Sequence, residues 1–475
     1  MAKVTTLAGE IFEPELPGRL LRIAEEIRNA GGRAFLVGGW VRDALLGRNC
    51  RDYDVEVYDI GQEELLPILK KYGRTNLVGK AFGVIHLAMK GESLDFSFPR
   101  TESKVGYGHR GFIVETNAKL SFKEAAYRRD FTINAMGMEL PDLTLCDPYN
   151  GIEDLKAGVL RHVGAAFVED SLRILRGVQF ASRFQLTLAP ETIELCRTLS
   201  LSDLSIERLF EEFKKWLLKP GKPSLGLRAF LEIGLDQYFP EIKPLDGSWE
   251  NLGRILDNVA EQRADHCLGG ICLELTEDQF SEIAFAALLC GNVFADMFPA
   301  AGEDAASMKP AFVNIPEVTK AAQKFLGRIT SEVHLMRNVP KLLSGLANLD
   351  YDGIPMDSDM RWDAVDQGGL KSLCVLLRAI PAELLASTRS AILGTAPNKP
   401  MADFAEKYIQ SAARLDLLEK APEPFLTGKM LIDLGVKPGK QMGELIKESF
   451  ELQLDEVLGS VEEAIEWVRE KISRQ

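Results

Sequence analysis

The first hundred residues alternate apolar and polar positions in a way that predicts a small mixed sheet carrying helices. Apolar residues recur at helical spacing from Leu20 to Asn29, and the run ends at Gly31-Gly32, a typical helix terminus. A second, amphipathic stretch predicts a helix over Trp40–Leu46. The short apolar or period-two runs that predict strands are Ala34–Val37, Tyr53–Tyr58, Phe82–Met89 and Leu94–Phe98.

From about Leu155 onward the strand signals fade and helical periodicity takes over. The predicted helices include Leu160–Phe184, Glu191–Leu199 and Ser205–Leu218. Loops are predicted at Ala300–Pro310, Asp350–Asp357 and Ala421–Pro424. The pattern therefore predicts an α+β protein with a small mixed-sheet head followed by a long all-helical neck, body and tail. The predicted boundaries are 1–140 for the head, 141–220 for the neck, 221–350 for the body and 351–475 for the tail.

Composition and charge exclude several classes of protein. The chain has 475 residues, of which 46% are apolar and 27% are charged, as in globular proteins. Its 56 Lys and Arg against 70 Asp and Glu leave a net charge of −14, which excludes a generally basic nucleic-acid coat but allows a local basic groove. The longest apolar stretch, Ile283 to Cys290, is far shorter than the roughly 18 residues that a membrane helix needs. The seven cysteines form no CxxC pair and the first residues lack an export signal, so we expect reduced thiols in a cytoplasmic protein that binds no membrane.

Candidate chemistry begins where the first predicted strand enters Gly38-Gly39 and a helix leaves it. Glycine lets the backbone approach a ligand closely, and N–H groups at a helix start can hold a triphosphate. Arg42, in the first turn of that helix, is a further candidate for contact with phosphate. Asp52 and Asp54 are two apart on the next predicted strand, so both carboxylates point to one face. Asp95 supplies a third carboxylate on another strand, where its apolar neighbours face away from it.

Two carboxylates on one face suit a pair of Mg²⁺ ions in nucleotidyl transfer, in which one ion activates a hydroxyl and the other neutralises pyrophosphate. A D-x-D pair alone is most often a solvated turn or strand edge, and Gly-Gly alone is a common turn. In this order, with an acidic residue alternating in a third strand, the elements resemble the DNA polymerase β-like nucleotidyltransferase superfamily. The resemblance implies catalysis by Asp52, Asp54 and Asp95, with Asp52 and Asp54 as the metal ligands.

Three further segments narrow the resemblance. They read RRDFTINA over 128–135, DPYNGIEDLKAGVLR over 147–161 and VEDSLRILRGVQFASRF over 168–184. Together with the early motifs they are similar to the class II tRNA nucleotidyltransferase and bacterial poly(A) polymerase family across residues 30–235. The resemblance returns over Pro424–Trp467, a segment that begins PFLTGKMLIDLGVKPGKQMGELIKE and is similar to the C-terminal part of bacterial members.

The E-D-x-x-R element places Asp170 and Arg173 three apart on a predicted helix, as neighbours on one face. A carboxylate accepts hydrogen bonds and a guanidinium donates them. The pair therefore matches the amino donor and ring-nitrogen acceptor that cytosine and adenine share, and it rejects uracil and guanine. An ordinary ion pair has the same spacing, but the resemblance favours base selection. It assigns these residues to the nucleotide site: Gly38, Gly39, Arg42, Arg129, Asp130, Asn134, Asp170, Arg173 and Arg176. It gives Glu207 and Arg208 a bracing role in the neck.

Residues 102–127 lie where some family members carry a flexible loop associated with adding the terminal A. Its candidate lever residues are Glu102, Lys104, His109 and Arg110, although a solvated hairpin linker remains an alternative. The loop favours a full CCA-adding or an A-adding enzyme. Poly(A) polymerases of the family usually carry two consecutive basic residues before a Phe, and Ala81 replaces the second one here, which argues against that activity.

The helical body resembles a metal-dependent phosphohydrolase (HD) module in its apolar pattern. Cys290-Gly291 stand where the His-Asp metal pair would follow, and His266 and His334 have no fitting partners in the sequence, so we expect no activity there. The tail is expected to hold tRNA through backbone and shape. Its candidate contacts are Lys437 and Lys440 in the turn GVKPGK, for which a plain helix-capping turn is the alternative.

The sequence therefore predicts template-independent addition of the 3′-terminal CCA, or its A, to tRNA from CTP and ATP, with Mg²⁺ as cofactor. The alternatives that remain are an A-adding enzyme beside a separate CC-adding enzyme, a poly(A) polymerase, an enzyme that modifies a small molecule or a protein, and an inactive RNA-binding protein. The sequence leaves the oligomeric state open.

Overall fold

The chain divides into two compact units, Met1–Tyr238 and Phe239–Gln475. The computed structural model describes residues 3–78, 84–89, 92–104, 112–219, 221–244, 248–263, 267–268, 271–272, 275–294, 314–348, 376, 410, 413, 423–454 and 457–473.

The first unit combines short strands with helices. Its strands are β1 (Val4–Thr5), β2 (Ile11–Phe12), β3 (Arg33–Val37), β4 (Asp54–Tyr58), β5 (Arg74–Val78), β6 (Val84–Met89), β7 (Glu92–Ser97), β8 (Arg100–Lys104), β9 (Phe112–Thr116), β10 (Gly137–Leu140), β11 (Thr144–Cys146), β12 (Val159–Leu160) and β13 (Thr187–Leu188). Its helices are α1 (Gly18–Asn29), α2 (Gly39–Leu45), α3 (Gln62–Lys70), α4 (Phe122–Ala126), α5 (Gly151–Ala157), α6 (Leu172–Phe184), α7 (Pro190–Arg197), α8 (Ile206–Leu218) and α9 (Pro223–Ile233).

Seven of these strands form one mixed sheet in the order β11-β10-β3-β4-β7-β6-β5. Strands β4 and β7 run parallel, and the other neighbouring pairs run antiparallel. The mixed sheet and the helical remainder confirm the predicted α+β class. The sheet also contains β5, β10 and β11, which the periodicity of the sequence did not single out.

Side chains alternate along a strand, so strands β4, β6 and β7 place an apolar row on one face of this sheet. The opposite face carries polar residues beside the buried Phe35, Val37 and Tyr58. The buried side chains of the apolar row are Val55, Val57, Ile85, Leu87, Leu94 and Phe96. Asp54, His86 and Asp95 alternate with them and share the opposite face. The same alternation that builds the core therefore places polar side chains from three strands together.

The helix predicted over Leu160–Phe184 is shorter than expected and begins at Leu172. Strand β12 pairs instead with β13 in parallel, and Ala165–Glu169 form a 3₁₀ turn. The N–H of Ala189 donates to the carbonyl of Leu160 at 3.0 Å, and Leu160 is fully buried. Pairing with a distant segment overrides the local helical periodicity there.

Helix α6 packs against α8 and α9 and supports the polar face of the site from the helical side. Gly177 permits a close approach to the Phe131 ring, which would lie 3.3 Å from a Cβ at that position. Trp216 stacks on Phe230 with ring centroids 5.6 Å apart, and its Nε1 donates to the carbonyl of Pro223 at 3.0 Å. The buried indole thus has its polar atom satisfied.

The second unit is mainly helical in its described part. Its helices are α10 (Trp249–Gln262), α11 (Glu277–Leu289), α12 (Gly291–Phe294), α13 (Ile315–Ile329), α14 (Val333–Asn348), α15 (Gly428–Asp433), α16 (Lys440–Leu454) and α17 (Val461–Ser473). Strands β14 (Cys267–Leu268) and β15 (Ile271–Cys272) form a small hairpin that the sequence pattern missed.

Helices α15–α17 close on an apolar cluster of their own, whose buried members include Leu431, Leu445 and Val468. Among the described helices, none is both long and apolar enough to cross a membrane. The predicted loops at Ala300–Pro310 and Asp350–Asp357 lie outside the described residues.

Candidate active site

A cleft of about 590 Å³ lies in the first unit between the polar face of the sheet, helix α2 and helix α6. Basic side chains outnumber acidic ones along it, which gives a locally cationic site in a chain of net charge −14. The basic residues are Arg42, Arg100, Arg128, Arg129, Arg173, Arg176, Arg183, Arg208 and Lys215. The acidic residues are Asp43, Asp52, Asp54, Asp130 and Asp170.

This cleft brings together the predicted site residues, apart from Asp95. They are Gly38, Gly39, Arg42, Asp52, Asp54, Arg129, Asp130, Asn134, Asp170, Arg173 and Arg176. Asp95 lines a second cleft of about 490 Å³ that shares Asp54, Arg129 and Arg173 with the first. The sequence motifs, although spread over residues 38–176, therefore converge in space.

Asp54 and Asp95 are direct register partners on the parallel strands β4 and β7. Asp52 lies just before β4 rather than on it, because the strand begins at Asp54. Loss of hydration raises the pKa of Asp54, and the negative charges of Asp52 and Asp95 raise it further against the opposing effect of Arg129. A bound cation would relieve this repulsion between carboxylates.

Glu56 belongs to the same face of β4 and was missed from the sequence. Its Oε2 accepts a hydrogen bond from the Tyr58 hydroxyl at 2.7 Å and lies 3.4 Å from Nη2 of Arg129. Burial and the nearby Glu56 raise the pKa of Tyr58, so the phenol remains a donor. The alternation Asp54-x-Glu56-x-Tyr58 was the signal that would have found this residue. Glu56 holds Arg129 beside the carboxylates.

The turn before α2 depends on glycine. Gly38 has a φ of +69°, a conformation that other residues rarely adopt. A Cβ at this position would lie 3.3 Å from Nη1 of Arg129. The backbone at the start of α2 can thus lie against the side chain that flanks the carboxylates.

Arg42 is buried in the wall of the cleft. Its Nη1 donates to Oδ1 of Asn134 at 2.6 Å, its Nη2 lies 2.9 Å from Oδ1 of Asp43, and its guanidinium lies 3.9 Å from the centre of the Phe184 ring. Burial lowers the pKa of Arg42, and Asp43 opposes that effect. Contact between Arg42 and phosphate stays a prediction, while these contacts give Arg42 a role in fixing Asn134.

Asp130 lies at the centre of a buried network. It accepts hydrogen bonds from the N–H of Phe131 at 2.7 Å, Nδ2 of Asn134 at 3.1 Å and Nε of Arg176 at 2.7 Å. Burial alone would raise the pKa of Asp130, but the charge of Arg176 and these hydrogen bonds lower it below its ordinary value. Asp130 and Arg176 therefore form a paired charge that shapes the cleft wall.

Asp170 and Arg173 both line the cleft. The side chain of each is held by hydrogen bonds to other residues. Oδ1 of Asp170 accepts from the N–H of Leu172 at 3.1 Å, and Oδ2 lies 2.7 Å from Nη2 of Arg208. Arg173 donates to the carbonyls of Ala166 and Arg128 at 2.6 and 2.7 Å. Backbone carbonyls therefore hold the guanidinium of Arg173, and a side chain of helix α8 holds the carboxylate of Asp170.

Arg208 was expected only to brace the neck, but it both binds Asp170 and lines the cleft. Arg100, Arg128, Arg183 and Lys215 are further cleft residues that sequence reasoning missed. Arg128 forms an ion pair with Glu169. No local periodicity points to these residues, since they come from separate elements.

Several candidates lie elsewhere or outside the described residues. Ala81, His109, Arg110 and His266 fall outside them, as do the side chains of Glu102 and Lys104. His334 lies in the second unit, with Nδ1 3.0 Å from Oε1 of the buried Glu282. Burial raises the pKa of Cys290 to about 12. Lys437 is exposed on the turn before α16, and Lys440 is exposed at the first residue of that helix.

Comparison with protein families matches two parts of the chain. Residues 34–161 match the poly A polymerase head domain, and residues 185–245 match the probable RNA and SrmB-binding site of polymerase A. A relative named multifunctional CCA protein from Xanthomonas oryzae pv. oryzae is 40% identical over 223 residues, which are 45% of this chain and 52% of the relative. The chain spans about half the length of curated relatives that it matches.

Solved structures share the fold. A structure described as the Bacillus stearothermophilus CCA-adding enzyme in complex with CTP has a TM-score of 0.61 and 22% identity, and the match covers 96% of this chain and 98% of that one. A Thermotoga maritima CCA-adding enzyme complexed with tRNA_CCA has a TM-score of 0.55 and 20% identity, with 96% of each chain covered. At these identities the likeness establishes the fold.

Proposed function

We propose that this chain belongs to the class II tRNA nucleotidyltransferase and bacterial poly(A) polymerase family, and that it adds the 3′-terminal CCA of tRNA, or its A, from CTP and ATP without a template. One observation carries the proposal: Asp54 and the residue pair Asp170 and Arg173 line the same cleft. Group-transfer chemistry and base selection then share one site. The names of the relatives and the description of the tRNA-bound structure support tRNA as the acceptor.

Asp52 and Asp54 fit a magnesium site by the chemistry of their donors. Mg²⁺ prefers carboxylate oxygens and is often held by one or two carboxylates together with substrate phosphates. Within the described part of the chain no three His, Cys, Asp or Glu side chains are grouped so that they could hold a metal ion by themselves. The raised pKa of Asp54 indicates that ionising this carboxyl group costs free energy, and a bound cation would offset that cost. When bound, Mg²⁺ supplies Lewis-acid chemistry that activates a hydroxyl and neutralises pyrophosphate.

The protein's own groups would orient the reactants. The backbone around Gly38 and Gly39 and the guanidinium of Arg129 lie where they can hold the triphosphate. Asp95, beside Asp54, would take the proton of the RNA 3′-hydroxyl. The 3′-oxygen of the RNA would then attack the α-phosphorus of the nucleotide, and pyrophosphate would leave. The network of Asp130, Asn134 and Arg176 would keep the wall of the cleft rigid.

Base choice would rest on Asp170 and Arg173. Each oxygen of Asp170 has one hydrogen-bond partner, and a carboxylate oxygen can accept a second bond, from the amino group of cytosine or adenine. Nη1 and Nη2 of Arg173 donate to backbone carbonyls, and these bonds fix the plane of the guanidinium. Uracil and guanine would oppose a carbonyl to the carboxylate.

We retain the four-part division as a proposal: a nucleotidyltransferase head over 1–140, a neck over 141–220 that carries the base-selecting helix, a degenerate HD-like body over 221–350 and a tRNA-binding tail over 351–475. Reduced thiols and a tRNA substrate favour the cytoplasm as the place of action. Lys437 and Lys440, both exposed, are the candidate phosphate contacts of the tail.

The decisive experiment extends tRNAs that end at the discriminator base, at C and at CC, with CTP and ATP supplied separately and Mg²⁺ present. Extension of all three acceptors to CCA supports the full activity, whereas extension of the CC acceptor alone supports an A-adding enzyme. A poly(A) polymerase, which the name of the matching head family favours, would add many A residues to an unrelated RNA. Absence of any extension would overturn the proposed function.

A further inference from the structure

His86 is joined to the carboxylate of Asp95 across the antiparallel strands β6 and β7. The two residues are direct register partners, and Nδ1 of His86 lies 2.7 Å from Oδ1 of Asp95. Asp54 is the register partner of Asp95 on its other side. The row Asp54, Asp95, His86 therefore crosses three neighbouring strands on one face of the sheet.

The hydrogen bond fixes the tautomer of the imidazole. An ionised carboxylate only accepts hydrogen bonds, so Nδ1 of His86 carries the proton and donates it to Asp95. The side chains keep 33% and 47% of their surface exposed, so the pair lies at the edge of the cleft and not in the core. His86 is not among the residues that line either cleft, whereas Asp95 is.

The apolar face of the same strands makes this arrangement rigid. Ile85 and Leu87, the neighbours of His86, are fully buried, as are Leu94 and Phe96 beside Asp95. Any rotation of either strand would expose these side chains, so the register of β6 against β7 is strongly specified. The position of the imidazole relative to the carboxylate is thus set by the core of the head.

We propose that His86 is a positioning residue for nucleotidyl transfer, which holds one oxygen of Asp95 so that the other faces the cleft. This inference rests on the proposed function, in which Asp95 receives the proton of the attacking hydroxyl. A carboxylate with both oxygens unrestrained rotates among several orientations, and only some of them meet that hydroxyl. The hydrogen bond from His86 selects among these orientations without contacting either substrate.

Two substitutions of His86 distinguish a role as a hydrogen-bond donor from a role in filling space or in transferring a proton. His86→Ala removes the donor, while His86→Asn keeps an N–H donor near the position of Nδ1 and cannot titrate. We expect His86→Ala to lower kcat about 10-fold for every nucleotide that the parent adds, with KM values for nucleotide and RNA changed by less than about 3-fold. His86→Asn should recover most of the lost kcat.

The matched control is Ser93→Ala, on the same face of β7 and in register with Ala88, two residues from Asp95. It removes a polar atom from the same strand pair and should leave kcat unchanged. Circular dichroism and thermal melting of each variant confirm that the sheet is intact. Equal loss of kcat in His86→Ala and His86→Asn, or no loss in either, would contradict the positioning role.

A second measurement does not depend on activity. The ¹⁵N resonances of the imidazole should report a proton on Nδ1 in the parent protein, and Asp95→Ala should shift the balance of tautomers toward Nε2–H. An unchanged balance would overturn the inference even in a fully active enzyme. Conversely, a parent that extends no RNA would remove the proposed function, and the NMR result would still decide whether His86 orients Asp95.

Discussion

Oδ2 of Asp170, a residue that precedes helix α6 by two positions and does not lie on it as expected, is 2.7 Å from Nη2 of Arg208 in the first turn of helix α8. Both side chains keep 32% of their surface exposed, so the pair is open to the cleft. The position of the carboxylate proposed to read the base is therefore determined by a residue 38 positions along the chain. The proposed selection of the base and the packing of the neck helices are therefore linked at this contact.

Substitution of Asp170 tests base selection directly. Asp170→Ala should raise incorporation of UMP or GMP relative to CMP and AMP, because the penalty for opposing a carbonyl to a carboxylate disappears. The lost hydrogen bond to the amino group is worth about 1–3 kcal/mol for a charged partner. Competition assays with mixed nucleoside triphosphates measure the ratio. Arg173→Ala should instead slow C and A addition together, and an unchanged preference in Asp170→Ala would make the motif purely structural.

Arg208→Ala should relax base choice less than Asp170→Ala does, since it frees the carboxylate to rotate without removing it. The adjacent variant Glu207→Ala is a matched control, because Glu207 is exposed and has no part in the cleft lining. The same competition assay applies. If both variants kept the parent's preference, Arg208 would serve only to join the helices.

The metal hypothesis predicts that Asp52→Ala or Asp54→Ala abolishes C and A addition alike while the fold persists. Loss of a metal-ligand carboxylate removes a Lewis-acid contribution of several kcal/mol. In addition, Mg²⁺ should raise the thermal midpoint of the parent but not of Asp54→Ala. Asp142→Ala, at an exposed carboxylate paired with Arg28, is the control and should respond like the parent. Activity within a few-fold of the parent would exclude the substituted residue as a ligand.

Asp130 should make the stability of the first unit depend on pH. Its pKa is lower in the folded state than in the unfolded chain, so the ionised carboxylate stabilises the fold above the unfolded pKa of about 3.9. That contribution is lost as the pH falls through the lower, folded-state value. Asp130→Asn should be destabilised at pH 7 and approach the parent in acid.

We expect the loss at pH 7 to lie at the low end of the roughly 3–5 kcal/mol typical of a broken buried pair. The reason is that Arg176 keeps 32% of its side chain exposed and can be hydrated once unpaired. Urea unfolding at several pH values measures the effect. A constant difference between parent and variant down to about pH 2 would disprove this linkage.

The second unit should release no phosphate from 2′,3′-cyclic or phosphomonoester substrates with any divalent ion. Cys290 is fully buried and Gly291 offers no side chain where a His-Asp pair would bind metal. His334 is bonded to Glu282, which also accepts from Asn338 at 2.8 Å. Metal-stimulated hydrolysis by pure protein that His334→Ala or His266→Ala abolished would overturn this expectation.

Local sequence pattern predicted the parts of the site that lie on single strands and turns. Asp54 and Asp95 followed from alternation, and Gly38 followed from the strand-to-helix turn. Glu56 obeys the same alternation and was overlooked. His86 lies nine residues before Asp95 in the β6–β7 hairpin, and its role required the register of that hairpin. Arg208 required the packing of α8 beside Asp170, which is set by a contact distant in sequence. For the same reason α6 begins at Leu172 and not at Leu160: the pairing of β12 with β13 has no local signal.

The burial of Arg42 determines how much of the chain must be kept together for the head to fold. Its guanidinium lies against the Phe184 ring, at the end of α6, and is almost inaccessible to water. A fragment ending at residue 161, where the matched head domain ends, would lack Phe180 and Phe184 and would leave this cation facing solvent across an exposed apolar edge. The shortest autonomous piece should therefore extend past α6, and attempts to excise the sheet alone should yield aggregation-prone protein.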